Sequence, residues 1–403
     1  MAELRPFAAY RPPPDLVERV ASPPYDVVST AEARALADGN RESFLRVSRP
    51  EIDLPEGTDE HADETYDQGR KNLLELVERR VLVRDPEPRF YVYAQRMGEH
   101  RQTGIVACAS VADYLNDRIK KHEKTRPDKE DDRARHIEEL SAHDEPVFLA
   151  YRAAKAIDAF ITSATNATPI YAFSSNDGVE HRLWSLTHHH ALSELLAEHL
   201  GDLYVADGHH RSAAAARVHQ RLRGDGREHD VFMVVAFPHD QMQILPYNRV
   251  VTDPRGRNAD ELIRELGKVM DVVRTDEPAP EVTGSFGVYA GKQWYRATAM
   301  PGSFDAQDPV GSLDCQICQD QILGPIFGIT DPRTDPNIGF VGGIRGAQAL
   351  THKVDSGQAS AALYLYPTRM EQVMRVSDAG AVMPPKSTWF EPKLKSGLFV
   401  HMF

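Results

Sequence analysis

Leu203-Tyr204-Val205-Ala206-Asp207-Gly208-His209-His210-Arg211-Ser212, running on through Ala213 to Ala216 and Arg217, is the stretch on which the reading of this chain turns. Four residues of strand type lead into Asp-Gly, and the small residues that follow continue as a closely packing helix. Strand, tight turn and helix in that order are the building unit of an α/β fold. Gly208 lets the backbone turn sharply or approach a ligand closely. A helix start presents amide donors and the positive end of its dipole, which suits an anion. Arg211 can grip phosphate oxygens in a fork, with Gly208 and Ser212 completing the candidate phosphate set. Asp207 can hold a cation or a hydroxyl, and His209 and His210 add donors and proton carriers. The same residues admit a plainer reading. Asp-Gly is a common turn, Asp207 can merely cap the helix, and adjacent histidines can be surface residues.

Outward from this stretch, periodicity places a helix from about His210 to Leu222 and another over Trp184–Leu200, closed by Gly201 as a carboxy-terminal cap. Val231–Phe237 reads as a buried strand, and Ile244–Val251 is expected to pair with it. Upstream, Phe90–Tyr93, Ile105–Val111, Pro146–Tyr151 and Ile170–Phe173 read as strands, and Thr30–Ala37, Gly69–Val81 and Ala153–Ala164 as helices. The opening segment carries Pro6, Pro12, Pro13, Pro14, Pro23 and Pro24, so it should run extended over the surface of something else. The expected class is therefore α/β (α+β). Three regions are expected: 1–115, a central 116–254 carrying the Asp-Gly-His-His-Arg run, and 255–403, an α/β region packing back on the core.

With 403 residues the chain exceeds the usual size of one hydrophobic core. Its formal net charge of −13 disfavours nucleic acid as a partner and favours a small molecule. No stretch approaches the length of a membrane span, and Met1–Tyr10 has no secretory pattern. Three cysteines suggest no disulfide framework and fit a reducing cytoplasm.

A second polar cluster, His122-Glu123-Lys124-Thr125-Arg126 with Asp131, Asp132 and Arg133 downstream, follows a strand and a turn, where active-site loops lie. Glu123 can deprotonate a hydroxyl, and Arg126 and Arg133 can neutralise phosphate; the competing reading is a solvated charged face. Lys386-Ser387-Thr388 and Lys393 can contact an anion or simply flank a docked tail. His188-His189-His190 point to different helix faces and suit no ordinary zinc geometry. Cys315-x-x-Cys318 lacks a second ligand pair and reads as core. Gly287–Gln293 fails as a phosphate loop, having one spacer too few and no hydroxyl after its lysine.

Several segments together resemble the prokaryotic domain of unknown function 1015 family. They are Pro6-Phe7 with Ala21–Val27, His122-Glu123-Lys124-Thr125, Asp207–Arg211, Ile244–Arg249, and Met383 to Gly397, in that order over nearly the whole chain. More distantly, Asp-Gly-His-His-Arg resembles the nucleotide-phosphate motif of free-serine kinases that share the ParB/sulfiredoxin fold. That resemblance implies a mixed-sheet core of that type with additional α/β subdomains. It implies Asp207, His209, His210 and Arg211 around nucleotide phosphates, Asp207 as a Mg²⁺ ligand, and Glu123 as base. His122, Arg126, Arg133 and Lys386 join the expected phosphate contacts. The implied activity is phosphoryl transfer from ATP or ADP to a small hydroxyl acceptor such as serine. A phosphatase or other hydrolase using the same anion pocket and a nucleotide-responsive regulatory protein stay open as alternatives.

Overall fold

Eight consecutive buried residues, Val231–Pro238, mark a strand covered on both faces, and around it a nine-stranded mixed sheet is assembled. This computed structural model describes residues 1–187, 189–222 and 228–403; His188 of the histidine run lies outside them. The strands are β1 (Leu4–Arg5), β2 (Phe90–Met97), β3 (His100–Ser110), β4 (Ile119–Lys120), β5 (Val147–Tyr151), β6 (Tyr171–Ser174), β7 (Glu180–Leu186), β8 (Leu203–Asp207) and β9 (Val231–Pro238). They lie in the order β4-β8-β5-β9-β3-β2-β7-β6, with β1 alongside β3. Two neighbouring pairs, β4–β8 and β5–β9, are parallel; the others are antiparallel. The chain is thus a mixed α/β protein with a mixed-sheet core, as its sequence indicates.

Two compact units divide the chain: Met1–Met242 with Pro392–Phe403, and Gln243–Glu391. The expected boundary after residue 115 falls inside the nine-stranded sheet, because β4 to β9 continue what β1 to β3 begin. The second unit starts at Gln243, not at 255.

In the first unit, Val92, Ile105, Leu149, Val205 and Val234 sit in one buried apolar cluster with helix residues Ile157, Leu192 and Leu196. Helix α1 (Pro127–Leu140) opens with proline at its first turn after an extended Arg126, the arrangement that a fixed φ and a missing amide favour. Helix α2 (His209–Arg221) follows β8 after one residue. Ala134 and Ile137 of α1 pack on Ala214 and Val218 of α2, so the alanine run serves close helix contact. Lys155–Ala164 and His190–His199 are further helices of this unit.

Trp184 belongs to β7 and not to the expected helix over 184–200, which is shortened to His190–His199. Inside–outside alternation explains the difference: His181 and Leu183 are buried while Arg182 is exposed, and β7 pairs with both β2 and β6.

The second unit is a six-stranded antiparallel sheet in the order Met270–Arg274, Gln293–Ala299, Ser285–Ala290, Ala361–Leu365, Tyr247–Val251, Ile338–Gly342. Tyr247–Val251 therefore pairs within this sheet, and the expected pairing with 231–237 does not form. Helices Ala259–Leu266 and Met370–Asp378 are amphipathic and bury Leu262, Leu266, Val373 and Val376. Among the described residues no helix is long and apolar enough to cross a membrane.

Candidate functional site

Strand β4 runs parallel to β8, with Ile119 opposite Leu203 and Lys120 opposite Tyr204. Parallel neighbours end on the same edge of a sheet, so His122 and Glu123 emerge beside Asp207, Gly208 and His209. The two polar clusters of the sequence, about eighty residues apart, form one place in the fold.

Gly208 makes the bend. Its φ is +91°, in the left-handed region that glycine enters without penalty. Helix α2 closes its first backbone bond from the Ser212 amide to the Gly208 carbonyl at 3.0 Å, which leaves the amides of His209, His210 and Arg211 ahead of the ladder. Ser212 is buried and turns its hydroxyl onto the carbonyls of Gly208 (3.3 Å) and His209 (3.0 Å).

Asp207 accepts from the Gly208 amide at 2.9 Å and from the Lys393 ammonium at 2.9 Å. Burial alone would raise its carboxyl, but Lys393 and Arg211 hold it well below the usual range. Arg211 donates to the Pro146 carbonyl and stands 3.8 Å from both Asp26 and Glu145. Glu145 is buried. One of its oxygens accepts from the Tyr25 amide at 3.0 Å and the Ser396 hydroxyl at 2.7 Å. Burial pushes its carboxyl up to about 7 against the pull of Arg211.

His122 and His209 are both buried, with their Nε2 atoms 3.3 Å apart and their rings at 89°. Burial lowers His122 to about 4 and carries His209 well below its ordinary value, helped there by His122 itself. The pair is therefore neutral at physiological pH. Glu123 is exposed, and its carboxylate with one nitrogen from each ring forms a trio of possible metal ligands within 4.8 Å of one another. His210 is half-buried, and its Nε2 accepts from the Arg126 amide at 3.3 Å.

The expected phosphate-binding cations are distributed unevenly. Arg126 pairs with Asp128 at 2.6 Å on the surface. Arg133 pairs with Asp132 at 2.9 Å and lies over the Tyr25 ring, 4.2 Å from its centroid. Together with His210, Asp26, Lys129 and Tyr66 it lines a cleft of about 290 Å³. Lys386 belongs to the second unit. There its carbonyl accepts from Arg249 at 3.0 Å and its ammonium lies 5.5 Å from the centre of the Tyr247 ring.

Sequence reasoning did not place Tyr25, Asp26, Glu145 or Ser396 here. The available signal was the proline-rich opening segment; a helix at Val17–Val20 and a 3-10 turn at Tyr25–Val27 interrupt its expected extended course, and Tyr25 and Asp26 stand against Glu145 and Arg211. Lys393, read as an anion contact or a flank of the tail, reaches Asp207.

The family model for proteins of unknown function DUF1015 matches residues 4–316. No curated protein matches the chain. Among solved structures, a free serine kinase in complex with AMP is 14% identical, over 68% of this chain and 84% of that one, with a TM-score of 0.33. A conserved hypothetical protein from Pyrococcus furiosus is 15% identical, over 71% and 93%, at 0.33. SbnI with a C-terminal truncation, from Staphylococcus aureus, is 13% identical, over 74% and 87%, at 0.39. At these TM-scores none of the three likenesses assigns a property to this chain.

Proposed function

The chain belongs to the DUF1015 family, whose name carries no activity, and we propose that this member is a small-molecule kinase. It would transfer a phosphoryl group from a nucleotide, ATP or ADP, to the hydroxyl of a small acceptor, with free serine the first acceptor to test. The observation that supports this most is the parallel β4–β8 pairing, which sets Glu123 and His122 beside the Asp207–Arg211 bend.

Phosphoryl transfer asks the protein mainly for positioning and charge neutralisation. The amides at the start of α2 and the Arg211 guanidinium would receive donor phosphates. The contact of Arg211 with exposed Asp26 is loose, at 3.8 Å, and a phosphate oxygen can replace it. Lys393 keeps Asp207 ionised and in place. Glu123, at the mouth, would orient or deprotonate the acceptor hydroxyl, and neutral His210 could pass a proton. Arg133 and Lys129 in the adjoining cleft would meet the remainder of a bound small molecule. The three free cysteines are buried, which fits a cytoplasmic setting.

Magnesium does not fit Asp207 as expected. That carboxylate already holds an ammonium and an amide at 2.9 Å each, and the neighbouring donor trio is two-thirds imidazole, whereas Mg²⁺ selects oxygen.

The test is incubation of the protein with ATP or ADP and a panel of hydroxy compounds, reading acceptor phosphorylation. Turnover that disappears in Glu123→Gln supports the reading. Phosphate release from a monoester with no nucleotide donor would favour a hydrolase in its place. Nucleotide binding without any turnover would leave a regulatory module.

A further inference from the structure

We propose that His122, Glu123 and His209 form a binding site for a divalent transition-metal ion of the zinc class. The inference stands apart from phosphoryl transfer, since it concerns which ion the chain itself holds.

Distance is the first argument. Two nitrogens bound at 2.0–2.1 Å to a tetrahedral ion lie about 3.3–3.4 Å apart, whereas adjacent ligands of an octahedral ion of the same radius lie about 2.9 Å apart. The His122 and His209 Nε2 atoms are separated by 3.3 Å. The two rings are perpendicular, at 89°, and do not stack.

The second argument is hydrogen-bond accounting. Both rings are buried, and the Nδ1 atom of each has no hydrogen-bond partner. Without a cation, one Nε2–H can donate to the other Nε2, so each ring satisfies a single nitrogen. A cation uses both Nε2 lone pairs at once, where the single hydrogen bond uses only one, and it leaves the two Nδ1 atoms as they were.

The third argument is composition. Two neutral imidazoles and one carboxylate suit zinc, cobalt, nickel or iron and not magnesium or calcium. Glu123 supplies the anionic ligand, its carboxylate lying within 4.8 Å of a nitrogen of each ring. Three protein ligands leave a fourth position open, the arrangement of a reactive site and not of a structural one. A carboxylate that ligates through one oxygen keeps the other for a substrate hydroxyl, so this role is compatible with the one proposed above. The site was hidden from the sequence because its ligands follow the ends of two strands, β4 and β8, that meet only in the fold.

The full-length protein, stripped with chelator, is titrated with Zn²⁺ by calorimetry and with Co²⁺ by visible absorption, with Mg²⁺ as the comparison ion. One equivalent of Zn²⁺ should bind, and Co²⁺ should develop the intense colour of four-coordination. Loss of an outer-shell partner alone weakens metal sites by about 10–100-fold, so Glu123→Gln should weaken Zn²⁺ binding by more than about tenfold. His122→Gln with His209→Gln should abolish the Co²⁺ spectrum. Because those two residues are buried, the exposed Glu123→Gln carries the test if they fail to fold: added Zn²⁺ should raise the melting temperature of wild type and much less that of the variant. Equal Zn²⁺ affinity in wild type and Glu123→Gln, an octahedral Co²⁺ spectrum, or tighter Mg²⁺ than Zn²⁺ binding would each overturn the assignment. Acceptor phosphorylation is measured separately, so either proposal can fail while the other stands.

Discussion

Replacing Gly208 with alanine strikes the bend on which the site is built. At φ +91° an L-residue costs about 1–2 kcal/mol through its Cβ and the following carbonyl. The added methyl would also meet Arg211, 3.0 Å from Nε and 3.1 Å from Cζ. That guanidinium is held on its inner side, where it donates to the Pro146 carbonyl and faces buried Glu145 at 3.8 Å. Overpacking of this kind costs about 1–3 kcal/mol, giving a total near 2–5 kcal/mol. The two parts separate in a double-mutant cycle. In an Arg211→Ala background only the backbone part should remain, about 1–2 kcal/mol. Urea unfolding followed by Trp184 fluorescence measures it, with Trp294 and Trp389 replaced by phenylalanine so that the signal comes from the first unit alone. Equal losses with and without Arg211 would refute the steric part. A loss below about 0.5 kcal/mol, the range of ordinary surface changes, would refute both.

Further outcomes follow from the same geometry. Lys393→Met leaves Asp207 without its ammonium and should destabilise the first unit by about 1–3 kcal/mol, less than a fully buried pair would lose, because the two side chains keep 21% and 29% exposure; in acid titration this loss should shrink as Asp207 takes up a proton. For Glu145 the folded carboxyl, at about 7, lies above its ordinary 4.5. The unfolded chain therefore releases that proton first, and the stability present below 4.5 is lost as pH rises through 7. Unfolding curves of Glu145→Gln across that window should lack this slope, and an unchanged slope would remove Glu145 as its source. All three cysteines are buried, and burial raises Cys315 and takes Cys318 to about 12. Iodoacetamide at pH 8 should label none of them in the native protein and all three in urea, as read by mass spectrometry; prompt native labelling at Cys315 would contradict the burial.

What could be read from the chain was what neighbouring residues decide among themselves. Leu203–Asp207 and His209–Arg221 fall within a residue or two of the expected strand and helix, because the change from strand-type to small residues at Asp-Gly is local. Thr30–Ala37 was legible through its Ala/Leu-rich run, and in the structure a Ser29–Glu32 capping box closes its start. The failures share one cause, which is partners distant in sequence. Trp184 carries no mark of strand or helix until β2 and β6 close on either side of β7, and Tyr247–Val251 reads as a partner of β9 until Ile338–Gly342 and Ala361–Leu365 claim both its edges. The candidate site is assembled by the same long-range pairing. His122 meets His209 only because β4 lies parallel to β8. Lys393 meets Asp207 because the tail is held in the first unit by Val400 on Tyr10 and His401 on His143. The residue types at 122–126, 207–211 and 393 could be chosen as chemically capable from sequence. Their pairing could not, and it is the pairing that turns Asp207 from an expected metal ligand into the partner of an ammonium and points a cation toward two histidines.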